Sequence, residues 1–274
     1  QAAKTYAQLN VLAPTRAHGW LGLAQLRFLD KDYAGAEREV KRALEADPGS
    51  VAAQRLLIQL AVRQGRTDEA LAALRERQKK NPQEAYALIA EADIEAGRQK
   101  FDAAIAALRK ATTLRDPADA PVRLFSLLLV KKREDALAFE KQWLSSHPQD
   151  QGFAAATADI VLARGDFDGA LERYEALLKR NPDAVPLLNN VAWLRSKTGK
   201  PGARELAERG LKLNADDAAL RDTYATVLAN DKTFDKALSV QRQLIADHPD
   251  QPSFKLNLAQ TLIQSGDKTA AKAE

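Results

Sequence analysis

Apolar residues recur along this chain at the i, i+3, i+4, i+7 spacing of amphipathic helices, in short bursts separated by turn residues. Trp20, Leu23, Ala24 and Arg27 share one face of a first helix. A turn follows at Asp30–Asp32, and Ala36, Val40, Ala43 and Leu44 share the inner face of a second helix. Asp47-Pro48-Gly49 ends the pair, because proline cannot continue a helix and glycine tolerates the turn. The same pair returns with Leu57, Gly65, Ala70, Leu74 and Asn81-Pro82, then with Leu88, Ala92, Gly97, Phe101, Ala104, Leu108 and Ala111. It returns again from Ala158 to Asn181-Pro182, from Val191 to Gly210, from Tyr224 to His248-Pro249, and at Leu258, Ala259 and Gly266.

The helix-end positions keep a period. Pro14, Pro48, Pro82, Pro117, Pro148, Pro182 and Pro249, with Asp216 where one more would fall, are separated by steps of 34, 34, 35, 31, 34, 34 and 33. A period near 34 predicts stacked helical hairpins, each contacting mainly its neighbours, with one core running along the stack. The expected fold is therefore all-α, a right-handed α-solenoid with no strand. Residues 1–16 read as the second helix of a truncated preceding repeat, with Ala2, Tyr6 and Leu9 on its inner face. Residues 17–274 read as seven complete units and a truncated eighth, whose second helix starts at Thr269.

Two columns of small residues specify the packing. Ala24, Ala92, Ala158, Ala192, Ala225 and Ala259 recur in first helices, and Ala36, Ala70, Ala104, Ala136, Ala170 and Ala237 in second helices. Small side chains at both places let paired helix axes approach closely while larger neighbours fill ridges and grooves. An aromatic column, Tyr33, Phe101, Phe167 and Phe234, opens the second helices and is expected to plug the gap to the next hairpin. The fourth unit departs from the pattern. It has Leu124 in the small column and no glycine in Lys131-Lys132-Arg133, which predicts a changed twist or a shortened helix there.

Composition removes several function classes. Forty-one basic and 37 acidic residues leave a net charge of +4, with no clustered basic stripe of the kind nucleic-acid binding uses. There is no cysteine, hence no disulfide framework and no thiolate metal site. No apolar run approaches the roughly 18 residues of a membrane helix. His18, His147 and His248 have no metal-ligand spacing, and no glycine-rich phosphate loop or nucleophile elbow is present. No catalytic residue, metal or cofactor is assigned. Lys131-Lys132-Arg133 reads as a solvated turn. Trp20 and Trp143 fall on core columns. Trp193, next to Ala192, turns toward the inner, first-helix surface, where it either meets a ligand or packs on the neighbouring unit near Thr226.

Repeat scaffolds bind on that inner, concave surface. Helical spacing places His18, Leu21, Gln25 and Phe28 on it, then Arg55 and Gln59, then Tyr86, Ile89 and Asp93, then Asp159, then Asn189 and Trp193, and finally Asp222 and Thr226. The mixture is polar and aromatic with no dominant charge.

The two-helix period, the turn glycine and the terminal proline resemble the tetratricopeptide repeat over essentially the whole chain. The resemblance implies a protein or peptide partner on the concave face. No unit pairs a basic residue with asparagine as chaperone-binding relatives do to hold a terminal carboxylate. A narrower likeness rests on Leu188-Asn189-Asn190-Val191-Ala192-Trp193-Leu194, Gly199-Lys200-Pro201-Gly202-Ala203, Leu220-Arg221-Asp222-Thr223-Tyr224 and Gly266-Asp267-Lys268. These runs are similar to the C-terminal repeats of the PEP-CTERM/exosortase-system repeat lipoprotein family, PrsT. That resemblance implies a bacterial envelope scaffold, periplasmic, working beside exopolysaccharide or protein-sorting machinery. Its partner would be a protein or an exopolysaccharide, and it would reach the membrane only through a lipid-bearing cysteine outside these residues.

Overall fold

The computed structural model describes residues 1–13 and 16–273, so Pro14 and Glu274 lie outside the described residues. Among these residues every regular element is a helix, seventeen in all. Helix α1 (Ala2–Leu12) is followed by the hairpins α2–α3 (Ala17–Leu29, Tyr33–Ala46), α4–α5 (Val51–Arg63, Thr67–Lys80) and α6–α7 (Ala85–Gly97, Phe101–Thr112). Next come α8 (Ala120–Lys131) and α9 (Arg133–Ser146), then α10–α11 (Gln151–Ala163, Phe167–Arg180) and α12–α13 (Val185–Lys197, Ala203–Leu213). The last elements are α14–α15 (Ala218–Asn230, Phe234–Asp247), α16 (Pro252–Ser265) and α17 (Lys268–Ala273). The fold class is an α-solenoid. It comprises two compact units, Gln1–Ala136 and Leu137–Glu274.

Local chemistry sets the helix starts. Asp32, Ser50, Asp150, Asp166 and Asp217 each accept a hydrogen bond from the backbone N–H three residues on, which satisfies a donor the helix itself leaves free.

In the first unit the core runs through Ala24, Ala36, Val40, Ala43 and Leu60, all fully buried. Helix α1 meets α2 through Tyr6 and Asn10 rather than through Ala2 and Leu9, which are exposed. The reason lies on α2: a Cβ on Gly22 would sit 2.4 Å from the Tyr6 ring, and one on Gly19 would strike Asn10. The two glycines open a slot that a tyrosine and an asparagine four residues apart fill. The second hairpin carries Ile58 in the first-helix column, which holds alanine in the other hairpins except for Leu124 in α8. A cleft of about 340 Å³ lies between α4 and α5 there, with Leu57, Ile58, Ala61, Ala70 and Ala73 on its walls.

In the second unit Ala158, Ala170, Ala192, Ala225 and Ala237 are fully buried, with Leu188, Leu220, Leu228 and Leu244 filling the space around them. Ala259, the last of the column, is half-buried. Gly210 continues the theme, because a Cβ there would lie 2.6 Å from Leu220.

The aromatic column is half-buried, and Phe101 and Phe167 reach the following hairpin. Lys131 Nζ sits 3.4 Å from the centre of the Phe101 ring, and Trp193 meets Phe167 edge-on at 5.8 Å.

Most turns within a hairpin carry a left-handed residue, at Lys31, Gly65, Gln99, Gly165, Lys232 and Gly266, and the α12–α13 turn carries two, Gly199 and Gly202. The third turn corrects the expectation for Gly97, which is the last residue of α6; the strained place falls to Gln99, with φ of 61°. The fourth pair is irregular in its connection. Lys132 alone joins α8 to α9, with a negative φ of −148° where other turns use a left-handed residue, and α8 has 12 residues against the 13 of α6. The short 31-residue step from Pro117 to Pro148 arises there.

Two stability outcomes are expected. Ala158→Leu and Ala225→Leu each add three carbons at a point with no exposed surface, which costs about 1–3 kcal/mol in chemical denaturation; parental stability would mean these are not the points of closest approach. Gln99→Gly removes a side chain from a left-handed backbone and is expected to gain up to about 1 kcal/mol. Gly165→Ala is expected to lose about 1 kcal/mol through backbone strain alone, since an added Cβ meets nothing within 4 Å.

Candidate functional site

The candidate residues lie on the faces of the first helices that turn away from the second helices. In the second unit, α12 presents Asn189 and Trp193, four residues apart and so on one face. Helix α14, capped by Asp217, presents Asp222. These three residues line one open cleft of about 660 Å³, closed on its far side by His248, Gln251 and Phe254 around the start of α16. The sequence reading had brought the first three together and missed the others. Phe254 occupies the helix position that Leu220 and Phe153 occupy as core residues, so its spacing signalled packing. His248 reads as a turn residue until its ring is found 6.0 Å from Phe254.

Trp193 is both a wall and a packing residue. Its ring meets Phe167, on the second helix of the preceding hairpin, edge-on at 5.8 Å. Asp222 receives Asn257 Nδ2 at 3.0 and 2.8 Å on its two oxygens and has no ion pair among the described residues. Burial pushes its carboxyl above the usual aspartate range, and the Asn257 hydrogen bond offsets only part of that. Asn189 donates to Asn190 Oδ1 at 3.4 Å, whereas its own buried Oδ1 has no partner.

The first unit gathers Gln25, Phe28, Arg55, Gln59, Tyr86 and Asp93 along three clefts that share residues, of about 620, 450 and 510 Å³. Here the charges are already matched. The Arg55 guanidinium stacks 4.1 Å over the Tyr86 ring and stands 3.9 Å from Glu84. Arg123 bonds Asp93 at 2.8 Å and Asp119 at 2.6 Å.

The remaining expected site residues stand apart. Asp159 is taken by the Tyr174 hydroxyl, which donates to it across the hairpin. Burial first, then that bond, push the Tyr174 hydroxyl well above its ordinary value. His18 is exposed at the start of α2, Thr226 is half-buried on α14, and neither lines these clefts.

The other candidates resolve into structure. Trp143 is buried, donates to Asp150 at 2.9 Å and stacks on His147 at 3.9 Å. Lys131 covers Phe101, and Lys132 stands 3.8 Å from Asp102. Among the described residues no group of three or more His, Asp or Glu side chains is arranged to hold a metal ion, and no helix is long and apolar enough to cross a membrane.

Two family models described as tetratricopeptide repeat match the chain, one over residues 27–94 and the other over residues 1–51 and 156–218. A stretch of 129 residues, 45% of the chain, is 30% identical to the Vi polysaccharide export protein VexE of Salmonella typhi. The match spans 20% of that protein's length. The structure of yeast Tom70 resembles this one with a TM-score of 0.52 at 18% identity, over 99% of this chain and 58% of that one. A tetratricopeptide repeat protein from Parabacteroides merdae matches with a TM-score of 0.45 at 16% identity, over 90% of this chain and 98% of that one. The Tom70 likeness shows the fold.

Asp222→Asn keeps an acceptor for Asn257 and removes a carboxylate whose ionisation burial disfavours. Because the folded-state pKa is raised, the folded chain holds the Asp222 proton more tightly than the unfolded one. The associated stability is fully present below the unfolded value of about 4 and lost as pH rises through the raised folded value. Asp222→Asn is therefore expected to be more stable than the parent at neutral pH, with the gap narrowing as pH falls toward about 4. Denaturant midpoints measured against pH check this; a gap that is absent or widens in acid would contradict it.

Proposed function

We infer, for a chain that belongs to the tetratricopeptide repeat family, a non-enzymatic scaffold that binds a polypeptide partner on its first-helix face. A tetratricopeptide chain is a protein-interaction scaffold. The finer reading, that the partner lies along the first helices, rests on one observation. The side chains that helical spacing aims away from the second helices line open clefts, Gln25 to Asp93 in one unit and Asn189, Trp193 and Asp222 in the other. Open clefts walled by aromatic rings and unpaired amide groups suit an extended chain, which offers a backbone donor and acceptor at every residue.

The setting we propose is a bacterial envelope system for polysaccharide export or protein sorting, with the scaffold on the periplasmic side. The likeness to VexE over 129 residues and the runs at Leu188–Leu194 and Leu220–Tyr224 support it. That likeness also favours a second reading, in which Trp193 and Tyr86 contact the exported polysaccharide itself.

Capture from envelope extract distinguishes the two. The expected result is that a polypeptide retained by the parent is lost with the Asn189→Ala/Trp193→Phe double variant and kept with Glu172→Ala on an exposed second-helix position. Retention by all three proteins would place binding elsewhere, and capture of polysaccharide without protein would move the assignment to the second reading.

A further inference from the structure

We propose that the cleft between α12, α14 and α16 receives an arginine side chain of an extended polypeptide, with Asp222 as its anchor. The proposal rests on the scaffold reading above and specifies what that face selects. Charge is the first argument. Asp222 is the one acidic side chain among the lining residues, which include His248 but neither lysine nor arginine. The nearest arginine in sequence, Arg221, is committed to Asp247 at 2.7 Å. The first unit's clefts differ, because Arg55 and Arg123 there already face Glu84, Asp93 and Asp119.

Hydrogen-bond capacity is the second argument. A carboxylate offers about four acceptor sites, and Asn257 supplies a single nitrogen to both Asp222 oxygens. Asn189 adds a buried carbonyl oxygen with no donor. The cleft thus presents spare acceptor capacity at Asp222, beside an Asn189 oxygen that is shielded from solvent. A guanidinium carries five donors and no acceptor, in a rigid planar fork. The third argument is the walls. Trp193 and Phe254 line the same space, and an aromatic face attracts a cation and stacks on a guanidinium plane. A half-buried carboxylate with no cation is unfavourable by itself, and an incoming guanidinium removes that cost.

The test uses the full 274-residue chain and three synthetic nine-residue peptides, identical except for a central arginine, citrulline or glutamate. Binding is followed by the Trp193 indole N–H resonance and by titration calorimetry at low and high salt. The arginine peptide is expected to move that resonance and to bind at least about fivefold more tightly than the citrulline peptide, with the preference shrinking as salt screens the charge. Asp222→Asn should abolish the preference. Asp250→Asn, the same charge change at an exposed position outside the cleft, should keep it. Asn189→Ala, which leaves the carboxylate in place, should weaken arginine binding without removing the preference. Equal binding of the arginine and citrulline peptides at Trp193 overturns the arginine assignment and leaves the scaffold reading standing. If no peptide moves the Trp193 resonance, the assignment fails together with the peptide reading of this cleft; a response to maltotetraose alone would then favour the sugar-contacting alternative.

Discussion

Close approach of two helix axes at paired small residues is the constraint on which the rest of this structure depends. Ala24 and Ala36 in one hairpin, and Ala158 and Ala170 in another, are each fully buried. Once the axes are that close, each helix has one face committed to its partner and one to the neighbouring hairpin. A side chain longer than a methyl group at these points changes the geometry, and Ile58 shows it within the same chain. Where isoleucine takes the column position, a cleft lies between α4 and α5. Leu124 is fully buried at the equivalent place in α8, in the one pair whose helices are joined by a single residue.

Packing at this repeat spacing leaves a second signature in the charges. Arg98 reaches back to Asp68, Lys200 to Asp168 and Lys132 to Asp102, each from the end of a first helix to the first turn of the preceding second helix. The aspartates also face the positive ends of those helices. Each pair is exposed and contributes little singly. Their use is to fix register between hairpins, and they keep these lysines and arginines occupied.

The fold was legible because its determinants are local and periodic. Proline, the small columns and the N-cap aspartates each act within one hairpin, so their spacing alone carries the architecture. Errors arose where two elements share a decision. Tyr6 and Asn10 displace Leu9 from the α1–α2 contact because Gly19 and Gly22 lie opposite, which no periodicity within α1 encodes. Gly97 attracts the turn assignment, yet the left-handed residue is Gln99, because the turn is set by where α6 ends. The candidate site was legible as a face and not as a set of partners. Spacing put Asn189, Trp193 and Asp222 on one side, but it gave no warning that Trp193 also packs on Phe167, or that Tyr174 occupies Asp159.

The two units treat charge on their first-helix faces in opposite ways, and that contrast bears on function. In the first, Arg55, Glu84, Asp93, Asp119 and Arg123 satisfy one another at distances between 2.6 and 3.9 Å. A ligand there must break existing pairs or use the Tyr86 and Phe28 rings, so that surface discriminates by shape more than by charge. In the second, Asp222 receives Asn257 but no cation, and the Asn189 carbonyl oxygen has no donor. The first surface suits broad contact along an extended chain, and the second suits selection at a single side chain. A repeat scaffold can combine both because each hairpin changes its outward residues without touching the alanines that hold its own two helices together.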